Sequence, residues 1–192
     1  TIPKNPGKMD KVRCDWCLKT ENMREYHDTE WGVPVHDDAT HFEFIVLDTN
    51  QAGLSWQTIL NRRDGFRKAF ANFNPTIVAQ FTQADVERLM KDTGIIRNRL
   101  KIEGTIKNAK AFLAVQEEYG SFDAYIWQFV SGLTMRGKRS TMKDIPATSP
   151  ESDAMSKALK KRGFTFVGST ICYAYMQAAG LVNDHLETCW KR

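Results

Sequence analysis

Two cysteines and two histidines near opposite ends of the chain have the most specific chemistry in the sequence. Cys14 and His27 lie near the start, whereas His185 and Cys189 form a His-x3-Cys pair near the end. Residues four positions apart on a helical turn face the same side, so His185 and Cys189 could bind one ion together. Two thiolates and two imidazoles complete the tetrahedral coordination of zinc. The sequence therefore predicts a closed, structural Zn²⁺ site that joins the two ends of the chain.

The spacing of these residues leaves other interpretations open. They could be ordinary buried cysteines and surface histidines, because a Cys-x12-His spacing is not that of a compact zinc finger. Cys17 could supply an alternative ligand in a Cys14-x2-Cys17 pair. Asp28 and Asp184 each stand beside a candidate histidine and are expected to orient the imidazoles. Cys172 lies in an apolar segment and is expected to pack in the core.

A second group of residues combines aromatic side chains with one carboxylate. The helix predicted to begin near Asp38 would place Phe44 and Ile45 one turn before Asp48, and Ala52 one turn after it. A carboxylate on an apolar helix face is unfavourable unless an arginine, backbone donors or a cationic ligand satisfies it. Electron-rich walls for a cationic ligand could come from four aromatic residues: Trp16, Tyr26, Trp31 and Trp56. Each tryptophan taken singly could also be a core residue.

Two further segments could contact a nucleic acid. Gly53 permits a sharp turn that leaves Leu54 at a loop tip, where it could protrude as an apolar wedge. Further along, Gly94 ends a short helix, and Arg97 and Lys101 accompany the start of the next one. A helix N-terminus with adjacent basic side chains is a natural phosphate site. Four more basic residues could extend this contact along a DNA backbone: Lys157, Lys160, Lys161 and Arg162. Both groups of charges could instead be ordinary solvated helix faces.

Helix signals dominate the sequence, and strand signals are scarce because β-branched residues seldom alternate with polar ones. Thr82 begins a capping-box pattern, Ser149 and Pro150 form a helix start, and Gly180 is typical of a helix stop. Helices are predicted at about 38–51, 55–72, 76–81, 83–91, 95–118, 121–130, 151–162 and 168–179. Residues 131–148 are predicted to form a basic loop. These elements indicate an all-α fold.

Length and composition exclude several classes of protein. The chain has 192 residues, of which 42% are hydrophobic and 26% charged, which excludes a disordered or low-complexity protein. Its formal net charge of +4 is compatible with nucleic-acid binding without demanding it. No apolar segment approaches the roughly 18 residues that span a bilayer, and no signal-peptide pattern opens the chain, which predicts a cytoplasmic protein without membrane association. Residues 1–8 are predicted to be a disordered lead-in, and residues 9–192 a single domain of two interlocked helical lobes.

Five motifs together carry a resemblance to a known family. They are Tyr26-His-Asp-x-Glu-Trp-Gly, Gln51-Ala-Gly-Leu-Ser-Trp56, Gly94-Ile-Ile-Arg97, Leu159-Lys-Lys-Arg-Gly-Phe164 and Asp184-His185-x3-Cys189. Over residues 9–189 the chain resembles the bacterial 3-methyladenine DNA glycosylase I family of the helix-hairpin-helix superfamily. The resemblance implies an all-α helix-hairpin-helix body with a second small helical lobe, closed by a zinc snap between the termini. It also implies that four residues bind a structural Zn²⁺, namely Cys14, His27, His185 and Cys189.

The resemblance also implies a reaction, which is hydrolysis of the N-glycosidic bond of N3-methyladenine in alkylated double-stranded DNA. The protein would be a monofunctional glycosylase of base excision repair that leaves an abasic site. We expect it to be a monomer. Tyr26 and Trp56, with Trp16 nearby, would sandwich the base, and Asp48 would be the catalytic carboxylate that accepts hydrogen bonds from its exocyclic amine. Leu54 would fill the space that the flipped base vacates. The resemblance places the segment Gly94–Lys101 in the DNA-binding hairpin region. The expected DNA contacts are Gly53, Leu54, Gly94, Arg97, Lys101 and Lys161.

Two positions depart from the family pattern. The family has a glutamate at the position of Asp48, and the shorter aspartate would reach the base only through a water molecule or not at all. Met23 stands where relatives often have a tyrosine in the pocket. The alternative function is therefore a non-catalytic or altered-specificity homologue that binds lesions in DNA. A zinc hydrolase is a third hypothesis, which requires an open coordination position on the metal.

Overall fold

The computed structural model describes residues 11–192, and the lead-in predicted for residues 1–8 lies outside them. Of residues 11–192, 59% are helical and 2% are in strands, which confirms the all-α fold class. The α-helices in the described range are α1 (Glu21–Thr29), α2 (Asp38–Gln51), α3 (Trp56–Leu60), α4 (Arg63–Ala69), α5 (Pro75–Val78), α6 (Gln83–Met90), α7 (Arg99–Tyr119), α8 (Phe122–Ile126), α9 (Pro150–Lys161) and α10 (Ser169–Ala178). Two short strands, β1 (Met135–Arg136) and β2 (Val182–Asn183), pair in parallel. That residues 9–192 form a single domain stays a prediction.

Helix ends follow the signals read from the sequence. The Thr82 backbone N–H donates to Asp85 Oδ2 at 2.8 Å, which forms the predicted capping box of α6. Ser149 Oγ accepts a hydrogen bond from the Ser152 backbone N–H at 3.1 Å and starts α9. Gly180 follows α10 with a φ of +72°, the left-handed conformation that favours glycine. These three signals are therefore confirmed.

Some boundaries differ from the prediction because local capping and breaks outweigh hydrophobic periodicity. The helix predicted over 55–72 is two helices, α3 and α4, because α3 ends at Leu60 with Asn61 as its C-cap. Asn98 Oδ1 accepts a hydrogen bond from the Lys101 backbone N–H at 3.1 Å, so α7 begins after Asn98 rather than at residue 95. The helix predicted over 121–130 is α8 followed by a short 3-10 turn.

The N-terminal segment contains a helix that the hydrophobic pattern did not predict. Thr20 Oγ1 accepts a hydrogen bond from the Met23 backbone N–H at 3.4 Å, and this cap starts α1. The loop predicted over 131–148 contains β1, which pairs with β2 near the end of the chain. The Trp190 backbone N–H donates to the Val12 carbonyl oxygen at 2.9 Å. These contacts bring the first described residues, this loop and the C-terminal segment together.

Helix α2 runs through the core and contacts α7, α8 and α10. Its residues 44–50 are all buried, including the polar side chains of Asp48, Thr49 and Asn50 at its C-terminal end. Phe42 and Leu47 of α2 are fully buried, and so are Ile102 and Phe112 of α7 and Met176 of α10. Polar side chains are seldom fully buried without a structural or functional reason. The three buried polar side chains at the C-terminal end of α2 therefore indicate a candidate functional site there. Within residues 11–192, no helix has the length and apolar character needed to cross a membrane.

Candidate active site and metal centre

A pocket of about 310 Å³ lies between the N-terminal segment, α2, α3 and α10. Asp48 lines this pocket. The pocket is also lined by all four aromatic residues predicted to form a wall for a cationic ligand, namely Trp16, Tyr26, Trp31 and Trp56. The 3-10 turn Asp15–Cys17 carries the first tryptophan, α1 carries the tyrosine, and α3 begins at the last tryptophan. The structure therefore brings together residues that are up to 40 positions apart in the sequence.

Asp48 is only 2% exposed. Its Oδ2 atom is buried and has no hydrogen-bond partner among the described residues. Burial raises the pKa of the Asp48 carboxyl well above its usual range, because a charge is poorly solvated there. The pocket thus disfavours the charged carboxylate until a cation or a hydrogen-bond donor enters it.

Two tryptophans of the pocket share this lack of partners. The indole N–H groups of Trp16 and Trp56 are buried and donate to no acceptor in the described part of the chain. Buried polar atoms in folded proteins are nearly always hydrogen-bonded. Two unpaired donors and one unpaired carboxyl oxygen in the same pocket therefore indicate a place for a ligand with both polar and aromatic character.

The aromatic rings contact one another and form a continuous wall. The ring centroids of Tyr26 and Trp56 are 5.1 Å apart, with 45° between the ring planes. Trp16 packs edge-on against Trp31 at 5.0 Å. A flat base held between two rings needs about 7 Å between them, since each of its faces requires about 3.5 Å. The sandwich predicted for Tyr26 and Trp56 does not fit this geometry, and a base would instead stack on one face of the wall.

The turn after α2 presents an exposed apolar side chain, as the sequence suggested. Gly53 has a φ of +77°, a left-handed conformation that lets the chain turn sharply. Leu54 is 38% exposed, although it is a large hydrophobic residue. It follows Gln51 and precedes Trp56, which both line the pocket. The structure thus places an apolar tip next to the pocket, and its role as a wedge stays a prediction.

Two basic residues expected to contact phosphates are instead engaged within the protein. Lys101 is 7% exposed, and its Nζ donates to the carbonyl oxygens of Asn50 at 2.8 Å and Ala52 at 2.6 Å. The last carbonyl groups of a helix have no hydrogen-bond donor within the helix. The buried ammonium group of Lys101 donates hydrogen bonds to two of them. Arg162 Nη1 donates to Glu118 Oε2 at 2.6 Å. The DNA contact predicted for Lys101 is therefore corrected to an internal contact that holds the end of α2.

The other predicted DNA contacts lie at the surface. Gly94 lies in the loop between α6 and α7, where its N–H donates to Asp92 Oδ1 at 2.7 Å. A Cβ atom added at Gly65 would lie 2.0 Å from the Gly94 carbonyl oxygen, so α4 packs directly against this loop. Arg97 and Lys161 are both exposed. The helix–loop–helix formed by α6 and α7 thus presents Arg97 to solvent on a fixed backbone.

Four buried ligand atoms meet where the two ends of the chain join. Cys14, His27, His185 and Cys189 each offer one atom, and these atoms lie within 4.8 Å of one another. His27 Nε2 lies 3.1 Å from His185 Nδ1, and Cys189 Sγ lies 3.5 Å from each of these nitrogens. Zinc bonds of about 2.1 Å to nitrogen and about 2.3 Å to sulfur would place tetrahedral ligand atoms about 3.4–3.8 Å apart. The group therefore has the size and the donor atoms to hold one metal ion.

The first imidazole is oriented by Asp28, as predicted. His27 Nδ1 donates to Asp28 Oδ1 at 2.8 Å, which leaves His27 Nε2 facing the other ligand atoms. Arg13 Nη2 donates to Asp28 Oδ2 at 2.8 Å. Hydrogen bonds from Arg13 hold the pKa of the Asp28 carboxyl well below its usual range, and the bond from His27 adds to this effect. Asp28 thus stays charged and keeps the imidazole in the tautomer that a metal requires.

The second imidazole is oriented by the backbone, and the prediction for Asp184 is wrong. His185 Nε2 donates to the Trp31 carbonyl oxygen at 2.8 Å. Asp184 accepts from Arg139 Nε at 2.9 Å instead, because its side chain points away from the neighbouring imidazole. The segment that carries His185 and Cys189 is not helical, in contrast to the helical turn considered from their spacing. It is a turn in which the Cys189 N–H donates to the Leu186 carbonyl oxygen at 2.8 Å.

Burial favours the neutral forms of Cys14 and His185 as long as no cation is near. It raises the pKa of the Cys14 thiol to about 12 and lowers the pKa of His185 to about 4. A divalent cation would favour the thiolates that it binds. Cys17 lies outside the ligand group and donates to the Cys14 carbonyl oxygen at 3.1 Å. Cys172 is 2% exposed, in agreement with its predicted place in the core.

The pocket and the ligand group share a wall. The ring centroid of Trp16 lies 5.4 Å from that of His27, and the ring of Trp31 lies 4.7 Å from that of His185. Both tryptophans also line the pocket. A metal held by the two histidines would therefore fix the position of two aromatic side chains of the pocket.

Several pocket residues were not predicted. They are Met23 (noted only as a departure), Gln51, Met142, Ile145, Ala174 and Gln177. Helical spacing could have indicated two of them, since Ala174 and Gln177 lie three positions apart on one face of α10. Met142 and Ile145 gave no such signal, because they lie in the segment predicted to be a basic loop.

Comparisons with known proteins agree with this geometry. A model of the methyladenine glycosylase family matches residues 16–192. The chain is 48% identical to DNA-3-methyladenine glycosylase 1 of Escherichia coli strain K12, over 92% of this chain and 95% of the relative. It is 49% identical to a crystal structure of 3-methyladenine DNA glycosylase I with a TM-score of 0.91, which covers 93% of this chain and 98% of the other. The chain is also similar to a structure of 3-methyladenine DNA glycosylase I from Staphylococcus aureus, which concerns the basis of 3-methyladenine recognition. The identity is 34% and the TM-score 0.90, over 93% of this chain and 95% of the other. The chain therefore belongs to the methyladenine glycosylase family.

Proposed function

We propose that the protein hydrolyses the N-glycosidic bond of N3-methyladenine in alkylated double-stranded DNA, releasing the base and leaving an abasic site. One observation carries this proposal beyond the family membership. The pocket of about 310 Å³ holds a buried, unpaired carboxyl oxygen on Asp48 and two unpaired indole donors within the described residues. A flat, cationic base with hydrogen-bonding edges matches each of these features.

The substrate itself supplies much of the driving force. Methylation at N3 makes the purine cationic, so the bond between C1′ and N9 is already weakened. The base departs with the electron pair of that bond and becomes neutral, a water molecule adds its oxygen to C1′, and one proton of the water goes to solvent. The protein must first extrude the nucleotide, which costs a few kcal/mol and less for a damaged base. Leu54, exposed at its turn, fills the vacated stack.

Asp48 is the catalytic carboxylate in this account. It stabilises the cationic base and accepts hydrogen bonds from its exocyclic amine, directly or through one water molecule. Tyr26, Trp56 and Trp16 bind the base by stacking and by indole hydrogen bonds. Interactions that accelerate cleavage must be stronger for the separating base than for the intact nucleotide.

The DNA backbone contacts are proposed for the surface that carries the Leu54 turn and the loop between α6 and α7. Gly53 and Gly94 allow close approach of the backbone, and Arg97 and Lys161 neutralise phosphates. Such contacts carry no sequence information, which suits an enzyme that must find a lesion in any sequence. Lys101 acts from inside by holding the end of α2, through its bonds to two carbonyl oxygens.

The metal is proposed to be zinc in a structural role. The donor set of Cys14, His27, His185 and Cys189 suits Zn²⁺, and four protein ligands leave no position for water. Zinc bound there would supply no step of the reaction. The residues around it would tie the N-terminal turn to the C-terminal segment and hold two tryptophans of the pocket in place.

The compartment and the assembly are proposed from the same residues. Four buried free thiols suit a reducing compartment, which favours the cytoplasm. One chain carries the aromatic wall, Asp48 and the Leu54 turn, so a monomer is sufficient for the proposed reaction. Sedimentation of the protein with and without duplex DNA would test the monomer.

The test of the function is base release from methylated duplex DNA, measured by chromatography under single-turnover conditions. We expect release of 3-methyladenine by the wild-type protein. Loss of a hydrogen bond to a charged group costs about 1.5–3 kcal/mol, so Asp48→Asn should slow release roughly 10- to 150-fold. Asp64→Asn is the matched control, because the Asp64 side chain is 88% exposed.

Two outcomes would contradict the proposal. Absence of 3-methyladenine release together with tight, salt-dependent binding of an abasic-site analogue would make the protein a non-catalytic lesion-binding homologue. An unchanged rate in Asp48→Asn would remove Asp48 from the site and leave the glycosylase activity to other residues.

A further inference from the structure

The residues that line the pocket divide into a floor and a rim. The buried lining residues form the floor, namely Met23, Tyr26, Trp31 and Asp48. Partly exposed lining residues form the rim, and two segments supply four of them: Gln51 and Trp56, which flank the Leu54 turn, and Met142 and Ile145. A flipped nucleotide remains joined to its strand, so a base on the floor leaves its phosphates outside the rim. The rim must therefore accommodate the DNA backbone on both sides of the lesion.

These two rim segments differ in charge. Residues 50–57, which contain the Leu54 turn, carry no charged side chain. In the other segment, Lys143 lies between Met142 and Ile145 and is exposed. Met142 and Ile145 are three positions apart around a 3-10 turn and both line the pocket, which leaves Lys143 on the solvent side of that turn. A cation thus lies at the rim, next to the path that the backbone of the lesion strand must take.

Hydrogen bonds to the C-terminal segment hold the backbone that leads to Lys143. The Glu187 backbone N–H donates to the Arg139 carbonyl oxygen at 2.8 Å, and Ser140 Oγ donates to Glu187 Oε2 at 2.9 Å. Arg139 Nε donates to Asp184 Oδ1 at 2.9 Å. The turn is therefore held beside the pocket before DNA arrives. A contact made from a fixed backbone costs less conformational entropy than one made from a loop that must first be ordered.

The segment 136–145, which we call the rim segment, has positive charge that the protein does not neutralise. Its acidic residue, Asp144, accepts a hydrogen bond from the Thr141 backbone N–H at 2.7 Å, which directs the carboxylate back into the turn. Arg139 is paired with Asp184. Within residues 11–192, three exposed side chains of the rim segment have no ion-pair partner: Arg136, Lys138 and Lys143. Unpaired cations on a fixed surface favour a polyanionic partner.

We propose that the rim segment is a further DNA-contact surface, and that Lys143 binds a phosphate next to the extruded nucleotide in the strand that carries the lesion. The inference rests on the proposed function, because an extruded nucleotide brings its own phosphates to this rim. It adds a contact at the pocket itself to those proposed for the Leu54 turn and for the loop between α6 and α7. A lysine that binds a phosphate reads charge and not base edges, so this contact does not depend on sequence. It holds the nucleotide at the rim without touching the base.

A thermodynamic cycle between Lys143 and single phosphates tests this contact. The probe is a duplex with a stable abasic-site analogue, in which one of the two phosphates flanking the analogue is replaced by a neutral methylphosphonate. Affinities are measured by fluorescence anisotropy at about 50 mM salt, where phosphate contacts are strong. At one of the two positions, the loss of affinity caused by the methylphosphonate should be about two- to fivefold smaller in Lys143→Ala than in wild type. Lys143→Arg, which keeps the charge, should restore the wild-type loss.

Lys110→Ala is the matched control, because Lys110 is an exposed lysine of α7 that does not line the pocket, and it should behave as wild type in this cycle. Equal losses in Lys143→Ala and wild type at both phosphates would overturn the contact. A weaker affinity of Lys143→Ala for free 3-methyladenine, measured by calorimetry, would also overturn it, because the effect would then lie in the pocket. Absence of base release from methylated duplex DNA by the wild-type protein, with the coupling intact, would instead overturn the proposed function and leave the DNA contact in place.

Discussion

Replacement of Asp48 by asparagine should change how the stability of the protein depends on pH. The folded protein buries the Asp48 carboxyl and raises its pKa well above the ordinary value, whereas in the unfolded chain that pKa is about 3.9. Between these two values, the folded wild-type protein holds one proton more than the unfolded chain at this position. Its free energy of unfolding therefore falls as the pH rises, by about 1.4 kcal/mol per pH unit for this single group.

The asparagine variant has no proton to lose at this position. Every other titrating group is common to both proteins, so the difference between their free energies of unfolding isolates Asp48. That difference should shift in favour of the variant by about 1.4 kcal/mol for each pH unit above about 4, until the wild-type carboxyl ionises in the folded state. For a chain of this length, about 1 kcal/mol corresponds to 2–4 °C in melting temperature. The variant should thus gain about 3–6 °C relative to wild type between pH 5 and pH 6.

The assay is thermal or denaturant unfolding of both proteins at pH 5, 6 and 7 in matched ionic strength. Asp64→Asn is the control, because the exposed Asp64 side chain should give a nearly constant difference from wild type across this range. A difference between Asp48→Asn and wild type that does not depend on pH would refute the reasoning. It would mean that Asp48 ionises in the folded protein as it does in the unfolded chain.

Four further outcomes are expected. Cys14→Ser should lose bound zinc, measured by metal analysis, and melt at a lower temperature, and full zinc occupancy would exclude Cys14 from the ligand set. Leu54→Ala should slow base release from duplex DNA about tenfold, while the affinity for free 3-methyladenine in titration calorimetry stays the same. A change in both the rate of base release and this affinity would place Leu54 inside the pocket. Lys101→Met leaves two buried carbonyl groups without a donor and should lower the free energy of unfolding by about 1–3 kcal/mol, which denaturant titration would measure. Arg97→Ala and Lys161→Ala should each reduce, by about one, the slope of the logarithm of the DNA-binding constant against the logarithm of the salt concentration. Unchanged slopes would place the DNA elsewhere on the surface.

Sequence reasoning predicted the parts of the site whose signals are local. The spacing of Asp48 on an apolar helix indicated a buried carboxyl that needs a ligand, and the structure shows that burial. The turn at Gly53 follows from the left-handed conformation that glycine adopts readily. The residue types and spacing of His185 and Cys189 indicate a candidate ligand pair, and the structure brings the pair together with Cys14 and His27, although the turn that carries it is not a helix. In each case a few neighbouring residues determine the feature.

Features that depend on tertiary packing were missed or misplaced. Lys101 has the residue type of a phosphate contact, and only the position of α7 against the end of α2 turns it inward. Asp184 stands beside a ligand histidine in the sequence, yet a neighbouring residue in a turn need not point the same way. The pair formed by Tyr175 and His41 joins positions 134 residues apart, and no local pattern identifies it. The distance between Tyr26 and Trp56 likewise depends on how α1 packs against α3.

The central claim is that the alkylated base binds against the aromatic wall with its polar edge toward Asp48. A crystal structure of the protein with 3-methyladenine bound tests it most directly. The base should lie in the pocket of about 310 Å³, stacked on one face of the wall formed by Tyr26 and Trp56. The Asp48 carboxyl should lie within hydrogen-bond distance of the base or of one water molecule that contacts it. A base bound outside this pocket, or oriented with no direct or water-mediated contact to Asp48, would contradict the account.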